Sequence, residues 1–77
     1  MNTIQLECFI AVAEHLNFSR ASQALKITQP AVSHQIQSLE EELEVKLFRR
    51  TSKSVSLTQE GLQFLPDAEL ILQTAVS

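Results

Sequence analysis

Glycine occurs once in these 77 residues, cysteine once and proline twice; tryptophan and tyrosine are absent, leaving four phenylalanines as the aromatic set. Each shortage removes a class of function. A single cysteine, Cys8, cannot build a disulfide framework or a thiolate metal site within one chain, and a reducing, cytoplasmic setting is expected. With Gly61 as the lone glycine there is no Gly-rich loop to cradle a phosphate. No apolar run approaches the about 18 residues of a membrane span, and no basic segment leading into an apolar stretch opens the chain as a secretion signal would. A chain this short makes one small domain, burying roughly 60–65% of the surface its unfolded form exposes.

Charge is scarce and segregated. The net charge is −3, from nine acids and six bases. All the acids (Glu7, Glu14, Glu40, Glu41, Glu42, Glu44, Glu60, Asp67 and Glu69) lie outside residues 15–39 and 45–59. All the bases lie inside those windows: Arg20 and Lys26 in the first, Lys46, Arg49, Arg50 and Lys53 in the second. One surface is therefore expected to be basic on a protein acidic overall, which a scatter of solvated charges does not explain.

Apolar spacing gives the elements. Leu6, Phe9, Ile10, Ala13 and Leu16 recur at helical intervals after Asn2 or Thr3, predicting an amphipathic helix over residues 3–16, ended by Asn17. Ser19 is the expected N-cap of a short second helix running to about Lys26, with Ala21, Ala24 and Leu25 inward and Phe18 plugging the corner. Thr28 caps a third helix, about residues 29–44, with Pro30 in its first turn and Val32, Ile36, Leu39 and Leu43 as a narrow buried stripe. A short helix, a tight connection and a longer helix form the pattern of a helix-turn-helix. Residues 46–49 and 55–58 read as short strands around the polar loop 50–54, a β-hairpin wing over about 46–58 with a basic tip. Thr58 caps a last helix. Its Leu65, Ala68, Leu72 and Ala75 stand at heptad a/d spacing with Leu62 and Ile71 beside them, and Pro66 is expected to kink it or open one hydrogen bond. Neither Gly nor Pro closes that helix, so the chain is expected to be a fragment that stops in mid-helix at Ser77.

The third helix is unusual in what its exposed face offers. Opposite the apolar stripe stand Ser33, His34 and Gln37, with Gln29 and Pro30 at the N-terminal turn. Amides and hydroxyls both donate and accept, as base edges in a major groove demand; Gln holds adenine N6/N7 in bidentate fashion, and Pro meets a thymine methyl. The helix N-terminus adds free amide hydrogens and a positive dipole end, and no acid stands there to repel a phosphate. Glu40, Glu41, Glu42 and Glu44 crowd the other end, where the dipole disfavours them; they are expected to point away from a duplex or to pair with neighbours. Catalysis is a poor fit. Ser33 and His34 are adjacent on a helix, so their side chains diverge by about 100° and cannot form a nucleophile–base pair. His15, His34 and Cys8 share no metal-ligand spacing. His15 is most simply a donor near the end of the first helix. No enzyme activity and no metal are expected.

Three stretches, "QLECFIAVAE", "NFSRASQALKITQPAVSHQIQSLEEEL" and "KLFRRTSKSVSLTQEG", closely resemble the N-terminal DNA-binding domain of LysR-type transcriptional regulators, which are bacterial winged helix-turn-helix proteins. The likeness covers almost the whole chain. It implies a mainly α winged helix-turn-helix domain over 1–58 and a linker or dimerisation helix over 59–77. It also implies a homodimer held by that last helix, with Leu62, Leu65, Ala68, Ile71, Leu72 and Ala75 as its expected seam, commonly a tetramer at full length, on double-stranded DNA near the nucleoid. A small-molecule effector would be sensed by a C-terminal domain of periplasmic-binding-protein type absent from this sequence, so no cofactor is expected here. By similarity, positions matching Gln29, Pro30, Ser33 and His34 meet the major groove, and those matching Ser19, Arg20, Thr28, Arg50 and Lys53 meet the backbone or the adjacent minor groove. Such sites are imperfect palindromes, placing two recognition helices about one helical turn or a multiple apart.

Two positions depart from that pattern. Where His34 stands many members carry Arg; a neutral His makes a weaker contact, so relaxed base preference and tighter binding as pH falls towards 6 are expected, against the blander alternative of an exposed His with a water-mediated contact. Glu44 stands where members usually have Gly as the left-handed cap of the third helix, which predicts that Glu44→Gly stabilises the fold. A rival from another class is a protein-interaction module with a winged fold that does not touch DNA. The segregation of charge argues against it.

Overall fold

The structure, a computed structural model, describes residues 1–76, with side chains described to Thr74. Helix α1 (Thr3–His15) begins at a reciprocal cap: the Asn2 side chain accepts from Gln5 N–H and the Gln5 side chain accepts from Asn2 N–H. Two otherwise orphaned donors are satisfied by this exchange. Gln5 is itself buried, and its Nε2 donates to Ser38 Oγ at 3.1 Å, fastening α1 to the third helix. The Met1 amino group pairs with the Glu42 carboxylate on that same helix.

Helix α1 ends at Leu16, not Asn17. Leu16 adopts the left-handed conformation (φ 49°) and stays exposed, so it is a cap and not a core residue. Asn17 instead starts α2 (Phe18–Leu25), its Oδ1 accepting from Arg20 N–H at 2.9 Å. The expected cap, Ser19, lies inside the helix, where its carbonyl accepts from Ser22 Oγ. The earlier start places Phe18 at the first helical position with its ring buried edge-on against Phe48, centroids 6.1 Å apart. Ala21 and Ser22 are the small buried residues of α2, while Ala24 faces solvent. Lys26, also left-handed (φ 61°), closes the helix.

Helix α3 (Gln29–Leu43) has the Thr28 cap, Oγ1 accepting from Ala31 N–H at 3.2 Å, and Pro30 in its first turn, where no intrahelical donor is lost. Val32, Ile36 and Leu39 are fully buried and Leu43 packs beside them. Glu44 ends α3 in the left-handed region (φ 59°, ψ 33°). The strands are shorter than expected, and the first begins two residues later. Strands β1 (Phe48–Arg50) and β2 (Val55–Leu57) pair antiparallel, Phe48 opposite Leu57 and Arg50 opposite Val55. The turn is held by Thr51 N–H to Ser54 C=O at 2.9 Å and by Thr51 Oγ1, which accepts from the Lys53 and Ser54 amides.

Helix α4 (Gln59–Val76) runs unbroken through Pro66. Thr58 caps it, Oγ1 accepting from Gly61 N–H at 2.9 Å. Gly61 is required by contact: a Cβ there would stand 2.2 Å from the Leu47 carbonyl oxygen. At the centre Phe9 is fully buried between Phe48 and Phe64, with ring centroids 5.5 and 5.3 Å away. Three helices, the wing and α4 thus share one core.

The expected dimer seam divides. Ala68 is completely buried within its own chain, Leu65 packs on the core and Leu72 is half-buried beside α1, so these belong to the inner face of α4. The apolar residues left outside are Leu62, Leu70 and Ile71, at 61%, 64% and 40% exposure. Heptad spacing identified a stripe, but the partner it packs against is the chain's own core. Ala75 lies outside the residues whose side chains are described.

Candidate nucleic-acid interface

Polar and basic residues of three elements meet where Ser19, Gln29, Arg50 and Lys53 line one groove and Ser33, Gln37, Lys46 and Arg50 line another. From α3 come Gln29, Pro30, His34 and Gln37, all exposed, and Ser33, half-buried toward the wing. In α2 Ser19 and Arg20 are exposed, and in the wing Arg49, Arg50 and Lys53 are; Arg49 alternates with Arg50 along β1 and so faces the other side of the hairpin, and neither it nor Arg20 lines the grooves. The first turn of α3 holds no acid. The positive end of the helix dipole therefore meets solvent with no acid beside it to oppose an anion.

Two clefts run here. Asn17, Ser19, Gln29, Arg50 and Lys53 line an open groove of about 290 Å³ between the start of α2 and the wing. Ser33, Gln37, Glu40, Lys46, Phe48 and Arg50 line a second, of about 370 Å³, between α3 and β1. Arg50 is common to both and forms the ridge that separates them. Its guanidinium carbon lies 3.8 Å from the centroid of the Phe18 ring, a cation–π stack, and its Nη1 donates a long hydrogen bond of 3.4 Å to Ser33 Oγ. Such a stack is worth about 0.5–1 kcal/mol at an exposed site. It also orders a side chain that otherwise loses rotamer freedom on binding.

The placement corrects one expectation and sharpens another. The sequence places Arg50 in the polar loop at the hairpin tip, but it ends β1 and folds inward onto α2 and α3; Lys53 alone of the wing bases occupies the tip. The glutamates at the end of α3 do not share one fate. Glu41, Glu42 and Glu44 are exposed, whereas Glu40 is buried, its Oε2 accepting from Leu47 N–H at 2.7 Å and Phe48 N–H at 3.3 Å. That role was missed because the partners are backbone groups seven and eight residues away, which no side-chain pattern announces. Thr28, placed among the backbone contacts, spends its hydroxyl acceptor on the helix cap while remaining exposed.

Cys8 is fully buried on α1, and burial first, the Glu7 charge second, pushes its thiol above the usual value. It is a core residue. Among the described residues no three His, Cys, Asp or Glu side chains gather as a metal site, and no helix is long and apolar enough to cross a membrane.

A three-helix core with a helix-turn-helix and a two-stranded wing, its exposed polar helix flanked by bases, defines a winged helix-turn-helix protein. Residues 4–62 match the family described as bacterial regulatory helix-turn-helix protein, lysR family, and the chain belongs to that family. It is 52% identical over 66 residues to the glycine cleavage system transcriptional activator of Escherichia coli (strain K12), covering 86% of this chain and 22% of that protein. It is 50% identical over 68 residues to the HTH-type transcriptional regulator ClcR of Pseudomonas putida, covering 88% of this chain and 23% of that one. The chain thus spans less than a quarter of either relative. Among solved structures, the CbnR_DBD–DNA complex superposes with a TM-score of 0.94 at 43% identity, covering 97% of this chain and 86% of that one. The BenM_DBD/catB site 1 DNA complex gives 0.91 at 41%, covering 97% and 84%.

Proposed function

We propose that this chain is the sequence-specific DNA-binding part of a bacterial transcriptional regulator. Helix α3 enters a major groove with Gln29, Pro30, Ser33, His34 and Gln37 toward base edges. Ser19, Arg20, Thr28, Arg50 and Lys53 hold the flanking backbone, Lys53 reaching into the adjacent minor groove. Two copies pair through the outer face of α4, where Leu62, Leu70 and Ile71 are exposed, and read a pseudo-palindromic promoter site. Regulation answers a small molecule sensed outside this stretch, and the protein works at the nucleoid. The reading is carried by one observation: the first turn of α3 is free of acids, and its Gln29 shares a groove with Ser19 of α2 and with Arg50 and Lys53 of the wing. Similarity to DNA-bound LysR-family domains supports it.

The test is selection of a duplex from a random pool, followed by fluorescence anisotropy across salt. If three to four bases per chain meet phosphates, a dimer neutralises roughly six to eight, giving a log–log slope of about −5 to −7. Affinity then falls by about 10³–10⁴ between 50 and 200 mM salt. A flat response removes the proposal.

A further inference from the structure

Base reading and phosphate attraction leave Glu40 unexplained. It places a carboxylate in the cleft between α3 and β1, on the face that otherwise favours an anion, and it is buried there. A buried carboxylate is tolerated only where hydrogen-bond donors replace water. Here they are the amides of Leu47 and Phe48, at 2.7 and 3.3 Å from the same oxygen, while Lys46 Nζ stands 4.0 Å from the other. The same short segment is gripped from behind by the cap of α4: Thr58 N–H donates to Leu47 C=O at 3.0 Å and Thr58 Oγ1 donates to Lys46 C=O at 2.6 Å. Residues 46–48 are thus clamped between the end of the recognition helix and the start of α4. The hairpin that leaves this clamp has only three paired residues on each strand, too few to hold its own orientation.

We infer that Glu40 is a positioning residue for DNA binding: its carboxylate fixes the root of the wing to the recognition helix and thereby sets where Arg50 and Lys53 sit relative to the base-reading face. This rests on the DNA-binding reading above. Charge-assisted bonds to backbone amides are strong and directional, so the link transmits angle as well as position. Lys53 lies five residues beyond Phe48, at the far end of a lever that a second hydrogen bond, the 3.4 Å bond from Arg50 to Ser33, also ties to α3.

A double-mutant cycle on the selected duplex tests it. In the wild type, Lys53→Ala is expected to make the salt slope shallower by about 1.8, or 0.9 for each of two subunits. In a Glu40→Ala background the same substitution should change the slope by less than about half as much. Glu40→Gln keeps a carbonyl oxygen for the two amides and should restore the full Lys53 effect, which a purely stabilising role does not predict. If Glu40→Ala does not fold, Glu40→Asp, too short to reach both amides, takes its place in the cycle. Hydrogen exchange gives a readout without DNA: hairpin amides over residues 48–57 should exchange faster in either variant while α1 amides keep their protection. An undiminished Lys53 effect together with unchanged hairpin exchange overturns the inference. A wild type with no salt dependence defeats the DNA-binding reading instead, and the exchange experiment still decides whether Glu40 holds the wing.

Discussion

Replacing Glu44 by glycine should make the protein more stable, and the structure allows the gain to be worked out. Glu44 sits at φ 59° and ψ 33°, its N–H closing α3 on Glu40 C=O. A side chain in that region crowds its own backbone at a cost of about 1–2 kcal/mol, which glycine escapes. Against this, glycine gives the unfolded chain more freedom, worth about 0.4–1 kcal/mol. Removing a negative charge from the helix C-terminus adds about 0.3–1 kcal/mol. The net is about 1 kcal/mol, a rise in melting temperature of about 4–8 °C for a domain of this size. Glu44→Ala is the matched control, since it deletes the same charge but keeps a Cβ. Thermal unfolding followed by circular dichroism should place the glycine variant several degrees above the alanine variant. Equal or inverted melting temperatures would refute the claim that left-handed strain at this cap is relieved.

Gly61→Ala should act in the opposite direction. The new methyl would meet Leu47 O at 2.2 Å and Leu57 Cδ2 at 2.9 Å, and backbone cannot rotate away; a loss of about 2 kcal/mol remains after the gain in helix propensity, and an unchanged denaturant midpoint contradicts the close crossing. His34→Arg should tighten binding to the selected duplex and sharpen preference for guanine at one position of each half-site by about 1–3 kcal/mol, read from a panel of single-base variants; an equal gain on every base would place residue 34 against phosphate. Cys8 should resist alkylation in the folded protein at pH 8, because burial and Glu7 hold the thiol in its protonated form, and react at once in urea. Rapid labelling without denaturant would mean that α1 opens locally.

Much of the fold was legible because its signals are local. The Val32, Ile36, Leu39 stripe repeats at helical spacing and is buried, and Thr28 with Pro30 marks the start of α3 from composition alone. What was misread involved choices settled by distant residues. Asn17 and Ser19 are both competent caps two positions apart, and the burial of Phe18 against Phe48 decides for Asn17. Arg50 looked like loop until its pairing with Val55 drew it into β1 and its stack on Phe18 turned it inward. Ala68 carried a periodicity that a partner helix or the chain's own core satisfies equally well. Of the interface, residue types and their helix face were readable; the carboxylate of Glu40 was not, because its meaning lies in two amides supplied by another element.

The two-sidedness of α4 has a mechanical consequence. Phe64, Leu65 and Ala68 pack its inner side against the domain core, while Leu62, Leu70 and Ile71 look outward. In a pair joined through those outer residues, the join and the reading heads would be linked through this packed inner side. Any torque that twists one α4 against its mate becomes a change in the distance and phase between two recognition helices, so a subtle turn at the shaft is enough to carry the pair in or out of step with the DNA helix.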